Sequence, residues 1–362
     1  MANLFFVFTP LQLFVAQQII RQEKLENNII LWGWHQRFTA VYEMMKMPTF
    51  WEKEYFYENL GGWFGSSISS FKDIRYAYHN YQWIKSILRE NNVNTIYLGE
   101  ILNQSYRFTS VVFHKKGYKI AFFEEGTSHY VNRPYKESHS IKTRVKQLLL
   151  DSCYFLPLYG VRFAKWHSTP NRPYEELPID RRYSIIPFHH EVFDVRLNIE
   201  PIFPEKLKEY VLSNIKTEDG MHRVMLMTDP LWELMPKDYL YLYFDTISEC
   251  IESISTEQFL YIKFHPREIE SSRCRILDIA EKSGLHYKVL SDEVNICVEY
   301  YLQMFYFEKI FFFNAATFFY NGYAFPHMKF VKLMPIIYRK SQEVGLKKLT
   351  YMEKILNMIE LM

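Results

Sequence analysis

A chain of 362 residues exceeds one typical domain and fits two of about 180 residues each. With 48% hydrophobic and 23% charged residues, and only 12 Gly and 15 Pro, it excludes global disorder and collagen-like or linker-like classes. A net charge of +2 gives no electrostatic case for a nucleic acid as partner.

The chain opens with a continuous apolar run, Leu4 to Phe8, as a strand buried on both faces would. Thr9-Pro10 then supplies an N-cap residue and a proline for the first helical turn, and Leu11, Val15, Ala16 and Ile19 recur at helical spacing. The alternation continues with a strand over 28–32, a long helix over 68–91, a strand over 95–98, a helix over 104–114 and a strand over 118–123. From about 150 to 204, Pro157, Pro170, Pro173, Pro178, Pro187, Pro201 and Pro204 interrupt every period, which marks a candidate linker region. Beyond it the pattern resumes: helix 204–215, strand 224–227, helix 240–253, strand 259–264, helix 273–283, strand 287–290, helix 295–304, strand 309–313, a helix from 314 to 323, strand 328–333 and helix 345–361. Strands alternating with helices imply parallel sheets with right-handed crossovers. The expected fold class is therefore α/β, with two Rossmann-like domains, 1–190 and 191–362, facing a central cleft. Ligands in such sheets bind beyond the carboxyl ends of the strands.

Other features bound the setting. Cys153, Cys250, Cys274 and Cys297 form no Cys-x-x-Cys pair, so neither a zinc site nor a disulfide framework is expected, and a reducing, cytoplasmic compartment is the natural reading. No basic segment precedes Leu4 to Phe8, and Pro10, Gln12, Gln17 and Gln18 break up the apolar residues after it. The start therefore reads as neither a signal peptide nor a membrane span. The stretch 133–146 carries Arg133, Lys136, Lys142, Arg144 and Lys146 against one acid, Glu137. It reads as a solvated helix face, with peripheral docking on an anionic membrane as the alternative. The 30 Phe and 28 Tyr read first as packing, then as sugar-stacking or membrane-interface contacts.

Three strand ends carry candidate chemistry. Phe122-Phe123-Glu124-Glu125-Gly126-Thr127 puts two carboxylates at a strand tip before a glycine. A carboxylate among apolar walls can be a general base, and the same pair also occurs as solvated loop acids. Lys263-Phe264-His265-Pro266 ends the 259–264 strand, where a histidine can hold a phosphate and donate to it as it leaves, or serve structurally. Phe313-Asn314-Ala315-Ala316-Thr317 runs from a strand into a helix, whose free N–H groups beside a hydroxyl suit a phosphate. An ordinary N-cap by Asn314 is the alternative.

In this order, Glu124-Glu125-Gly126, His265-Pro266 and Ala316-Thr317 resemble the motifs of bacterial sialyltransferases and polysialyltransferases. Phe8-Thr9-Pro10-Leu11-Gln12 is similar to the start of the lipooligosaccharide sialyltransferase family. The resemblance implies a GT-B glycosyltransferase with an acceptor-side first domain and a CMP-sugar-binding second domain. It implies an inverting transfer of sialic acid, or of a related nonulosonic acid such as pseudaminic or legionaminic acid, to a capsule, lipooligosaccharide or O-antigen glycan. In that scheme Glu124 is the favoured base, with Glu125 bonding the turn. His265, Pro266, Asn314, Ala316 and Thr317 hold the donor phosphate, Glu299 binds the ribose, and Thr9 and Gln12 lie on the acceptor side. Two positions depart from the family pattern: Ala316 lacks the expected hydroxyl, and Cys297 stands where a proline precedes the ribose-binding glutamate.

No Asp-x-Asp pair, P-loop or GxGxxG is found, and a CMP-sugar leaves as a monophosphate. No metal and no cofactor are therefore expected. The expected partners are a CMP-sugar and a glycan or glycolipid acceptor, and a homodimer is compatible with the sequence. Two other readings stay open: a GT-B transferase using Kdo or a nucleoside diphosphate sugar, and a non-catalytic relative that scaffolds polysaccharide assembly.

Overall fold

The structure is a computed structural model that describes residues 1–33, 38–57, 71–99, 104–124, 140–165, 177–185, 194–215, 221–233, 235–290, 296–313, 324–347 and 349. The chain divides into two compact units, Met1–Ile202 and Phe203–Met362.

The first unit is built on a seven-stranded sheet. Its strands are β1 (Ala2–Val7), β2 (Asn28–Gly33), β3 (Lys53–Tyr57), β4 (Val93–Gly99), β5 (Lys119–Phe123), β6 (Arg181–Ser184) and β7 (Asp194–Arg196). Their spatial order is β3-β2-β1-β4-β5-β6-β7, and every pairing is parallel. Its described α-helices are α1 (Pro10–Glu23), α2 (Phe38–Met45), α3 (Phe71–Glu90), α4 (Gln104–His114) and α5 (Ile141–Leu150). A π-helical turn, Asp151–Phe155, joins α5 to the short α6 (Leu156–Tyr159). Helices on both faces leave Leu4 to Val7 of β1 without exposure, which is why that stretch is an unbroken apolar run. Leu4, Phe6 and Phe8 join the core of one face, while Phe5 turns the other way and stacks on Tyr97 at 4.1 Å.

Because β7 belongs to the first sheet, the division of the chain falls at Ile202/Phe203 rather than near 190. The stretch with many prolines is not all irregular: it holds the π-turn, α6, β6 and β7. The segment leaving the first unit is strapped to α1 by glutamines. The Gln18 amide donates to Glu200 O (2.9 Å) and accepts from Glu200 N (3.1 Å). Gln22 donates to Arg196 O and accepts from Asn198 N, both at 2.9 Å.

The second unit has a five-stranded parallel sheet, β8 (His222–Met227), β9 (Gln258–Lys263), β10 (Tyr287–Val289), β11 (Lys309–Phe312) and β12 (Lys329–Lys332), in the order β10-β9-β8-β11-β12. Its described helices are α7 (Glu205–Asn214), α8 (Tyr241–Glu252), α9 (Glu270–Lys282), α10 (Val298–Met304) and α11 (Met334–Glu343). Val224, Leu226, Leu260, Ile262 and Phe311 from the sheet pack with Ile247 and Ile251 of α8 and Ile276 of α9. Helix α11 was not expected from the sequence. Most of the helix expected over 345–361, and all of that over 314–323, lie outside the described residues. Two Rossmann-like α/β units in one chain are the composition of the GT-B fold class.

Candidate active site

In a doubly wound sheet, the crevice forms where the strand order reverses. That point lies between β8 and β11 in the second unit and between β1 and β4 in the first.

At the second-unit switch point, β8 ends at Met227 and is followed by Thr228. Its neighbour β9 ends at Lys263, followed by Phe264 and His265. The two strand ends are tied together: Thr228 N donates to Lys263 O (3.1 Å), and His265 N donates to Thr228 Oγ1 (2.9 Å). After His265 the chain turns tightly. Glu268 N donates to His265 O (2.9 Å), and Arg267 N donates to His265 Nδ1 (3.1 Å). With Nδ1 held as an acceptor, the neutral imidazole carries its proton on Nε2, a hydrogen-bond donor at a strand end. Burial, reinforced by the charges of Arg267 and Lys263, lowers the His265 pKa to about 4, so the ring is neutral near pH 7.

Behind this turn sits Glu268, which the sequence reading passed over. It is buried, and Tyr243 Oη donates to its Oε2 (3.1 Å). Arg273 Nε donates to its carbonyl (3.0 Å). Burial raises the Glu268 pKa, while the hydroxyls of Thr228, Tyr243 and Ser272 and the Arg273 guanidinium act in the opposite sense. Asp229 N donates to Tyr243 Oη (3.3 Å), so Tyr243 links the end of β8 and the His265 turn. On the exposed side, Arg267 pairs with Glu233 at 2.6 Å, and Trp232 Nε1 donates to Arg267 O.

Glu299, in the first turn of α10, is 4% exposed. Burial and the Glu299 carboxylate push the Cys297 thiol well above its ordinary pKa, while Lys263 pulls it down. Lys263 thus lowers the pKa of both His265 and Cys297. Pro266 lies in the His265 turn. Asn314, Ala316 and Thr317 fall outside the described residues.

In the first unit, Glu124 follows β5 and is wholly buried, at 0% exposure. Its N–H donates to Tyr183 O (3.1 Å), and its Oε2 accepts from Ile185 N (2.9 Å). The carboxylate therefore fastens the end of β5 to the end of β6, the kind of holding role the sequence reading gave to Glu125. Glu125 lies outside the described residues. Thr9 caps α1, its Oγ1 accepting from Gln12 N (3.2 Å). Gln12 turns inward: its Oε1 accepts from Phe8 N (2.6 Å), and its Nε2 donates to Tyr106 Oη (3.4 Å). It lies over Gly99 at the end of β4, where a Cβ would fall 2.3 Å from Nε2. Thr9 and Gln12 thus shape the first-unit switch point from within.

Thr228, Glu268 and Lys263 are the residues that sequence reasoning missed. Only the strand order, which sets β8 at the switch point, gives Thr228 its significance.

Among solved structures, the chain is similar to MurG of Acinetobacter baumannii, with 8% identity over 100% of both chains and a TM-score of 0.42. It is similar to the UDP-GlcNAc 2-epimerase from Neisseria meningitidis bound to UDP-GlcNAc, with 10% identity over 86% of this chain and 77% of that one, TM-score 0.46. It is also similar to the E. coli ADP-heptose lipopolysaccharide heptosyltransferase II, with 11% identity over 86% and 78%, TM-score 0.39. No curated protein matches the sequence. A family model for alpha-2,8-polysialyltransferase matches residues 3–326, running through both units and every motif singled out above, and the chain belongs to the alpha-2,8-polysialyltransferase family.

Proposed function

We infer that this protein is an inverting, metal-independent transferase that moves sialic acid, or a related nonulosonic acid, from its CMP-activated form to a surface glycan. Family membership assigns glycosyl transfer; the donor and its handling are our reading. The observation that carries it is His265, a neutral imidazole after β9 with Nδ1 held by the Arg267 amide and Nε2–H as its donor, its backbone tied to Thr228 at the end of β8. Such a group suits a leaving monophosphate: it donates a hydrogen bond without placing a full charge in the unliganded site, and the phosphate charge raises its pKa on binding. Thr228 and Lys263 stand beside it, with Asn314, Ala316 and Thr317 proposed to complete the phosphate site and Glu299 the ribose site.

In the reaction, the bond from the sugar's anomeric carbon to the phosphate oxygen breaks through an oxocarbenium-like state. The acceptor hydroxyl attacks, and a glutamate of the first unit takes its proton. The burial of Glu124 and its bond to Ile185 N favour Glu125 as that base, with Glu124 holding the strand ends.

The test is CMP release across a panel of CMP-activated sugar acids, with a glycan acceptor, in buffer containing EDTA. Release from at least one donor is expected. Glu125→Gln should lower turnover by roughly 10²- to 10⁴-fold with CMP affinity nearly unchanged, and Glu124→Gln should act chiefly on stability. Turnover supported only by nucleoside diphosphate sugars, or abolished by chelation and restored by magnesium, would contradict the reading.

A further inference from the structure

Helix α5 is unlike every other described helix of comparable length. None of its ten residues is buried. Ser140 caps it, its Oγ accepting from Thr143 N, so it is a formed helix rather than a loose end. Its anchorage lies at its C-terminal end and beyond: Leu150 packs against the core of the first unit, and Tyr154, Phe155 and Tyr159, in the π-turn and α6, enter it. The exposed part carries large apolar side chains, with Ile141 81% exposed, Leu148 66%, Leu149 59% and Val145 49%.

These four are not scattered. At 100° per residue, positions 141, 145, 148 and 149 fall within one arc of about 100°. Lys142 and Lys146 follow one edge of the arc, and Arg144 borders the other. From Ser140 to Leu150 there are three cations and no acid. The next acid, Asp151, is turned inward, its Oδ1 accepting from Phe163 N and Ala164 N. A contiguous exposed apolar face needs an occupant, and cations on both edges select an anionic one. A helix with this arrangement lies in the plane of a lipid interface, its apolar side among the acyl chains and its cations at the headgroups. Among the described residues, no helix is long and apolar enough to cross a membrane.

We propose that α5 is a membrane-docking helix that seats Ile141, Val145, Leu148 and Leu149 in an anionic bilayer surface, with Lys142, Arg144 and Lys146 on the headgroups. The proposal stands whatever sugar the enzyme transfers.

The full-length chain is floated with vesicles of phosphatidylglycerol and phosphatidylcholine, and separately with phosphatidylcholine alone. The wild type should float with the anionic vesicles, less so as salt is added. Ile141→Glu with Leu148→Glu should weaken binding by about tenfold or more. Lys142→Gln with Arg144→Gln and Lys146→Gln should weaken it by roughly 10²-fold. Both sets change exposed side chains only, and an unchanged circular dichroism spectrum and thermal midpoint would establish that they fold. The proposal is overturned if the wild type fails to float, floats equally with both vesicle types, or floats no better than both variants. It is also overturned if sedimentation shows a wild-type dimer that the Glu pair converts to monomer with flotation unchanged, since a second copy of the chain would then cover the face.

Discussion

His265 is informative because its two ring nitrogens have different tasks. Nδ1 is committed to the Arg267 amide, and burial together with the charges of Arg267 and Lys263 disfavours the protonated ring. An unfolded histidine titrates near 6.5, whereas this one is lowered to about 4. Between those values the unfolded chain holds a proton that the folded chain does not. The stabilisation is therefore complete above about pH 6.5 and is lost as pH falls toward 4. Asparagine at this position keeps an acceptor for the Arg267 amide but does not titrate. The thermal midpoint of the wild type should drop further between pH 7 and pH 5 than that of His265→Asn. Parallel curves for the two proteins would mean that the histidine is not held neutral in the fold.

Elements, in turn, depend on close approaches that side chains would block. The end of β4 touches the Gln12 amide of α1 only because Gly99 has no Cβ. Gly99→Ala should displace that amide, break its bond to Phe8 N, and cost about 1–3 kcal/mol, seen as a fall of several degrees in thermal midpoint. If the cause is this contact, adding Gln12→Ala to Gly99→Ala should cost less than the sum of the two single changes; strict additivity would locate the cause elsewhere. Elements with a strong period were legible in the sequence: α4 spans the expected 104–114, and β9 lies within one residue of its expected ends. Helix α11 was not, because Tyr338-Arg339-Lys340-Ser341-Gln342-Glu343 is almost wholly polar and the helix buries only Met334, Ile337 and Ser341. Strand β3 was missed because Lys53, Glu54 and Phe56 face solvent at the sheet edge, leaving no buried run to read. Within the site, a histidine and proline after an apolar strand stood out. A lone threonine after β8 did not, since threonine is common there and acquires meaning only from the strand order. Glu268 was hidden for a related reason: its partners Tyr243 and Arg273 come from two other elements.

Across the whole molecule, the two units have separate cores and separate switch points, and the proposed donor chemistry belongs to the second. CMP added to the intact protein should slow amide hydrogen exchange around 228–233 and 263–268, and leave β1, β2 and β4 unchanged. Protection centred on the first unit would refute that allocation. The first unit also governs how its own chain may vary. Gln18 and Gln22 hold the outgoing segment by peptide groups, each amide mimicking the paired N–H and C=O of a neighbouring strand. The ion pair beside them, Arg21 with Glu200, is exposed and of little weight. The strap therefore does not read which side chains stand at 198 and 200, only whether those residues carry an N–H. Through descent, these positions can drift among all residues except proline, while a change at either glutamine would strand two peptide groups at once.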